Sequence, residues 1–393
     1  MDAVRRTAPT RIVTRGRRAT LAGLLALVLV CLALPSTVLA EPARGKQGEA
    51  RKHHGKRGKR SKPRQMAPRP TYWGAWIGDQ LTGTQPPWDM NAVSLFEGLL
   101  GKGLSLLSLS SPFADCDDGS CSYFAFPAEP MNNIRSYGAI PFLNWASQST
   151  SPEPSLATSM PDFQLADVLA GTYDSYIREF ATDAATWGHP FFLRFNWEMN
   201  GNWFPWSESV NGNQPGESIA VWRHVHDIFT SVGATNATWV WCPYVDEYRK
   251  FQPLAQVYPG DEYVDWTCLD GFNWASNTAN PHPWRTFDQI FSTTYRRIVT
   301  KIAPSKPMVL AETASTGGHR AKARWIRDMF KMLATKYRRI RGLIWFNQVD
   351  RGIDWPLETS PAATRAFARG IGIPAFRANG YALSTARPIP PPS

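Results

Sequence analysis

The chain has 393 residues, of which 43% are hydrophobic, 12% aromatic and 19% charged, the balance of a folded protein rather than a disordered one. Its longest apolar run, the 14 residues from Leu21 to Leu34, falls short of the roughly 18 needed for a membrane span. The formal charge of +11 belongs to the amino-terminal tail: residues 1–70 hold 17 Lys/Arg against 3 Asp/Glu, leaving −3 on the rest and no charge-based case for binding nucleic acid.

At the amino terminus, six arginines precede the Leu21–Leu34 run, and Pro35 through Ala40 (PSTVLA) ends in small residues. This pattern predicts a secretory signal peptide over residues 1–40, cut after Ala40, and a secreted protein. Cys31 lies inside that run behind Val30, not behind the small residue of a lipoprotein signal. Residues 41–70, with 11 basic and 2 acidic side chains and no apolar period, read as a disordered basic linker. It serves either as a solvated spacer or as an arm drawn to an anionic wall polymer or membrane surface.

From Thr71 onward, short β-rich runs alternate with segments of helical period, the pattern of a parallel sheet with helical crossovers. The runs are Tyr72–Ile77, Leu104–Leu109, Ile140–Trp145, Phe191–Trp197, Thr238–Cys242, Cys268–Asn273, Met308–Glu312 and Gly342–Phe346. Eight such units predict a single (β/α)8 TIM barrel over residues 71–375. Two crossovers carry clear apolar stripes, Phe287-Ile290-Phe291-Ile298-Ile302 and Trp325-Ile326-Met329-Phe330-Leu333-Tyr337. The charges around the second stripe (Arg320, Lys322, Arg327, Lys331, Arg338) read as a solvated outer face. The crossover near Pro253–Gly260 is too short and proline-broken for a full helix. Residues 376–393 form a Pro-rich tail whose end, Pro388–Pro392, is expected to fray.

Without Cys31, four cysteines remain, an even number in an exported chain, with three connectivities open. Cys116 with Cys121, across the turn-like Asp-Asp-Gly-Ser, is the first pair. Cys242 with Cys268 follows by elimination, with buried free thiols as the alternative. No neighbouring Cys/His pair completes a metal site, so neither metal nor organic cofactor is expected.

In such a barrel, catalytic groups project from the carboxyl-terminal ends of strands. The fourth run delivers Glu198, followed by Met-Asn-Gly-Asn-Trp-Phe-Pro-Trp206, and the seventh delivers Glu312. Two carboxylates converging across the mouth are what glycosidic cleavage needs, one holding a proton for the departing oxygen and one ionised toward the anomeric carbon. Trp73, Trp76, Trp145, Trp197, Trp203, Trp206, Trp241, Trp274 and Trp345 all lie in or just after strands. As a set they suit a sugar cleft, since flat aromatic faces stack on pyranose rings, although any one of them could equally fill core.

The segment Arg194-Phe-Asn-Trp-Glu-Met-Asn-Gly-Asn-Trp-Phe-Pro-Trp206, with Val309-Leu-Ala-Glu-Thr313, resembles the acid/base and nucleophile motifs of glycoside hydrolase family 26. The similarity runs from Tyr72-Trp-Gly-Ala-Trp-Ile-Gly78 through Asp270-Gly-Phe-Asn-Trp274 to Gly342-Leu-Ile-Trp-Phe346. It implies a retaining (β/α)8 enzyme, foremost an endo-β-1,4-mannanase, with Glu198 as acid/base and Glu312 as nucleophile. It further implies Arg194 as a strand residue holding carboxylate or backbone oxygens by forked hydrogen bonds, Trp203 bordering the cleft and Trp345 as the platform under the sugar. Trp197, Asn200, Trp206, Asn273 and Trp274, in the same strand-end segments, are further candidate substrate contacts. One position departs: the family carries His directly before the acid/base, and here it is Trp197, an indole that donates one N–H and stacks.

The expected activity is thus a secreted, monomeric β-mannan hydrolase acting on polysaccharide. A mixed-linkage β-glucanase, a β-1,3-xylanase and a non-catalytic carbohydrate-binding wall protein are the alternatives. No GxSxG elbow, HExxH pair or Walker phosphate loop is present.

Overall fold

Ten strands form among the described residues, most of them where aromatic and aliphatic side chains run together. In chain order they are β1 (Thr71–Ile77), β2 (Leu106–Asp117), β3 (Ser120–Tyr123), β4 (Ile140–Ser149), β5 (Phe191–Phe195), β6 (Ala237–Trp241), β7 (Trp266–Asn273), β8 (Met308–Ser315), β9 (Ile340–Asn347) and β10 (Phe376–Arg377). The structure is a computed structural model describing residues 68–117, 120–150, 158–245, 252–275, 283–350 and 352–393. The expected signal peptide, Cys31 and all but the last three residues of the basic linker lie outside them.

β1 pairs in parallel with both β2 and β9, which closes the ring β1-β2-β4-β5-β6-β7-β8-β9. This is the (β/α)8 barrel that the eight runs predict. Beyond that expectation, β2 continues past the barrel rim and turns back antiparallel as β3, stapled by the Cys116–Cys121 disulfide. The second pair, Cys242–Cys268, is also bonded, tying the end of β6 to β7.

Eight α-helices lie among the described residues: α1 (Asn91–Leu100), α2 (Ala128–Tyr137), α3 (Leu165–Leu169), α4 (Asp174–Trp187), α5 (Glu217–Ser231), α6 (Phe287–Arg297), α7 (His319–Thr335) and α8 (Pro361–Ile371). Two start at side-chain caps: Thr286 makes a reciprocal capping box with Gln289, and Ser360 caps α8 with Pro361 in its first turn. Between β6 and β7, the described residues hold only two short 3-10 turns, Leu254–Gln256 and Asp261–Tyr263, as the broken crossover implies.

The apolar layer between sheet and helices is strongly aromatic. Trp145 stacks on Phe180 at 4.4 Å, and Trp345 packs against Trp325 and Phe367. Two sequence readings are corrected here. The tail does not fray at Pro388–Pro392: Ile389 is buried, its N–H donates to Thr238 Oγ1, and its carbonyl accepts from Trp266 Nε1. With Pro390 accepting from Tyr72 Oη, the tail is fastened to β1, β6 and β7, because three strands offer it polar partners that would otherwise be buried unpaired. Lys322 is not on a solvated face either. It is wholly buried, and its Nζ donates to the carbonyls of Asp354 and Pro356 in the loop between β9 and α8.

Candidate active site

The chain leaves β5 through a left-handed turn. Asn196 has φ 37° and Glu198 φ 54°, a region that non-glycine residues occupy only when their surroundings hold them there. Asn196 is held by β4, its Oδ1 accepting from the Ser147 N–H at 2.9 Å. Glu198 is held by the residue that follows β6, its N–H donating to the Cys242 carbonyl at 2.6 Å. The turn brings the Glu198 carboxyl to the barrel mouth, buried, with Oε2 accepting from Trp203 Nε1 at 2.5 Å.

Glu312 and Asp270 reach the same place from β8 and β7. Each lies at a register irregularity, between Leu269 and Asp270 in one pairing and between Leu310 and Thr313 in the other. Bulges of this kind re-aim side chains and recur beside active sites.

Arg194 organises the group. It has no exposed surface, and Nη1 donates to Glu312 Oε1 at 2.6 Å and to Asn144 Oδ1 at 3.1 Å, while Nη2 meets Asp270 Oδ2. Its guanidinium also lies 5.0 Å from the centre of the Trp197 ring, a cation–π contact. Three carboxyl groups therefore surround one cation in a dry setting. Burial, then repulsion from Glu312, pushes Glu198 up to about 7. Burial also lifts Asp270 well above the usual carboxylate range, against the pull of Arg194. The site can keep a proton on a carboxyl at neutral pH while Glu312 faces a guanidinium.

Of the residues singled out from sequence, Glu198, Glu312, Arg194, Trp197 and Trp203 come together here. Several others do not. Trp345 has no exposed surface and faces Trp325 and Phe367 beneath the helices, so it offers no platform to a sugar. Its neighbour Phe346 is the half-buried one, 5.6 Å from Phe272. Trp73, Trp145, Trp206 and Trp241 are likewise core. Trp206 donates to the Trp197 carbonyl and stacks on Phe204 at 4.4 Å. Trp197 itself is 9% exposed, beneath Arg194 rather than open to the cleft.

Asn200 and Asn273, also expected to touch substrate, are fully buried and occupied as loop clamps. Asn200 bonds the N–H and carbonyl of Tyr244; Asn273 accepts from the Arg285 N–H and donates to Ser315 Oγ. Trp274 and Trp76 are half-buried at the strand ends, Trp274 donating to Tyr244 Oη at 3.2 Å and Trp76 to Gln348.

The sequence reading missed Asp270, Asn144 and Tyr244. Asp270 carries the same signal as the two glutamates, a lone carboxylate inside an apolar strand run. Asn144 shows as an amide within the apolar Ile140–Trp145 run. Tyr244 lies in a loop and carries no comparable signal.

Residues 165–313 match the sequence model of "Glycosyl hydrolase family 26". The barrel is of glycosyl hydrolase family 26. The chain is 32% identical over 305 residues to "Endoglucanase H" of Acetivibrio thermocellus, a match covering 76% of this chain and 30% of that protein. It is 28% identical over 125 residues to a "Mannan endo-1,4-beta-mannosidase" of Bacillus subtilis, covering 30% of this chain and 29% of that protein. The chain thus spans under a third of the length of either relative. Among solved structures, a modular endo-β-1,4-mannanase from Cellulomonas fimi superposes with a TM-score of 0.60 at 17% identity, over 82% of this chain and 76% of that one. A Bacillus subtilis mannanase superposes with a TM-score of 0.51 at 16% identity, over 81% and 88%. At these identities the superpositions speak for the barrel fold alone.

Proposed function

We propose that this family 26 barrel is a retaining endo-β-glycanase. The observation that carries the reading is the pair of strand-end glutamates around one buried Arg194, with Glu198 holding its proton to about pH 7 and Glu312 bonded to the guanidinium at 2.6 Å. In the first step, Glu198 gives its proton to the glycosidic oxygen as Glu312 attacks the anomeric carbon. The glycosidic C–O bond breaks, and a glycosyl ester forms on Glu312. In the second, Glu198, now ionised, takes a proton from water, whose oxygen displaces Glu312 from the anomeric carbon. Two inversions leave the configuration retained.

The motif resemblance and the similarity to the Bacillus subtilis mannosidase support β-1,4-mannan as substrate. A second reading, a β-glucan backbone, is favoured by the longer match, the 305 residues shared with an endoglucanase. Export through the signal sequence and attraction of the basic arm to an anionic surface belong to the same proposal, as does a monomeric state.

The test is reducing-end release on linear mannan, galactomannan, mixed-linkage β-glucan and β-1,3-xylan by the wild type, Glu198→Gln and Glu312→Gln, with the anomeric configuration of fresh product read by NMR. Retained β product, lost in both variants, is expected. Inverted product would overturn the double displacement. Binding without turnover on all four would favour a non-catalytic carbohydrate-binding protein.

A further inference from the structure

We propose that Tyr244 is a positioning residue for Glu198, acting through Trp203; this rests on the reading of Glu198 as the acid/base. The three residues after β6, Cys242 to Tyr244, run beside the loop that follows β5 and hold it at three points. Cys242 accepts from the Glu198 N–H at 2.6 Å. Tyr244 exchanges two backbone hydrogen bonds with the Asn200 amide, at 2.9 and 3.0 Å. The third point is ring to ring: Tyr244 and Trp203 meet edge to face, centroids 5.2 Å apart and planes at 82°, a favoured aromatic geometry.

That third contact decides where the indole N–H points. Trp203 also lies so close to Gly201 that an added Cβ would stand 2.5 Å from the ring. The indole is therefore confined by a bare Cα as well as by the Tyr244 ring. In that slot Nε1 reaches Glu198 Oε2 at 2.5 Å. The Tyr244 hydroxyl in turn accepts from Trp274 Nε1 at 3.2 Å, and its backbone is tied to β7 by the bridge between Tyr244 and Asp270. Among the hydrogen bonds of the described residues, Tyr244 reaches Trp274 and Asn200 and neither glutamate carboxyl. Its effect is to keep the Glu198 oxygens oriented toward the oxygen that will receive the proton.

The test compares two substrates. Departure of a sugar hydroxyl needs the proton from Glu198, whereas 2,4-dinitrophenolate leaves without one. Tyr244→Leu, which keeps apolar bulk without a flat ring, is expected to lower kcat/KM on polysaccharide about tenfold, the size of one oriented hydrogen bond. The kcat/KM on a 2,4-dinitrophenyl β-glycoside of the same sugar, which reports glycosylation and not the base-assisted second step, should stay within about twofold, and the alkaline limb of the polysaccharide pH profile should move upward as the Trp203 hydrogen bond is lost. Tyr244→Phe, which keeps the ring, should restore both. Gly201→Ala displaces the indole through a second contact and should give the same selective loss, which keeps the idea testable should Tyr244→Leu fail to fold. Equal losses on both substrates, or wild-type behaviour in folded Tyr244→Leu or Gly201→Ala protein, would overturn the positioning role. Full polysaccharide turnover in Glu198→Gln would instead overturn the acid/base reading itself.

Discussion

Arg194 and Glu312, 118 residues apart in sequence, meet at 2.6 Å with the arginine wholly buried. The same guanidinium also holds Asp270 and Asn144, so one side chain fixes residues from β4, β7 and β8. An ammonium could not reproduce this, because it lacks the planar fork that reaches several oxygens at once.

Arg194→Lys is accordingly expected to lower kcat/KM on the order of 10²-fold, as for loss of an oriented active-site donor. Arg194→Met should cost about 3–5 kcal/mol of stability, since it leaves Asp270 buried beside an uncompensated charge. Steady-state kinetics and denaturant unfolding separate the two effects. Unchanged kinetics in Arg194→Lys would remove the arginine from the mechanism.

The raised Glu198 carboxyl sets a pH window. As proton donor it must be neutral, so kcat/KM should fall above pH about 7. Burial and Glu312 make the folded chain hold this proton more tightly than the unfolded chain, whose carboxyl titrates near 4.5. Its contribution to stability is therefore complete below about 4.5 and lost as pH rises to about 7. Subtracting the unfolding curve of Glu198→Gln should isolate that slope, and a difference that stays flat with pH would contradict it.

The Cys242–Cys268 disulfide joins two chain positions 26 residues apart, so its removal should cost roughly 3 kcal/mol from loop-closure entropy. An effect on turnover is expected as well, because the Cys242 carbonyl holds the Glu198 N–H. The paired Cys242→Ser, Cys268→Ser variant should show a lowered Tm and a lowered kcat. Full kcat at a temperature where the variant stays folded would show that β6 holds Glu198 without the bond.

Lys322 pins the loop before α8 by donating to the carbonyls of Asp354 and Pro356, and burial brings its amino group down to about 8, with Asp354 acting in the opposite sense. The folded chain gives up this proton near 8 and the unfolded chain near 10.5, so stability from this group rises with pH across that interval. Lys322→Met should be destabilised by about 1–3 kcal/mol at pH 7, having left buried acceptors unpaired. It should also lack the rise between pH 8 and 10.5. Unfolding titrations of both proteins measure the difference directly.

The amino-acid sequence by itself determined the architecture and the positions of the key carboxylates. Eight apolar runs separated by crossovers admit few arrangements other than a closed parallel barrel, and a charged residue ending such a run is too expensive to bury without purpose, which is what made Glu198 and Glu312 stand out. Asp270 was legible by the same rule. Which tryptophans face the cleft was not legible, because barrel strands are apolar on both faces and their runs carry no alternation to separate inside from outside. Trp345 and Phe346 are adjacent aromatics in one such run, and only the closed barrel put the first under the helices and left the second half-buried against Phe272. The tertiary structure also decided what distant segments supply: the tail fastened to β1, β6 and β7, the loop folded over Lys322, and the end of β6 that holds Glu198 and Trp203 in place. Those contacts join residues far apart in the chain, and no local pattern of spacing or propensity encodes them.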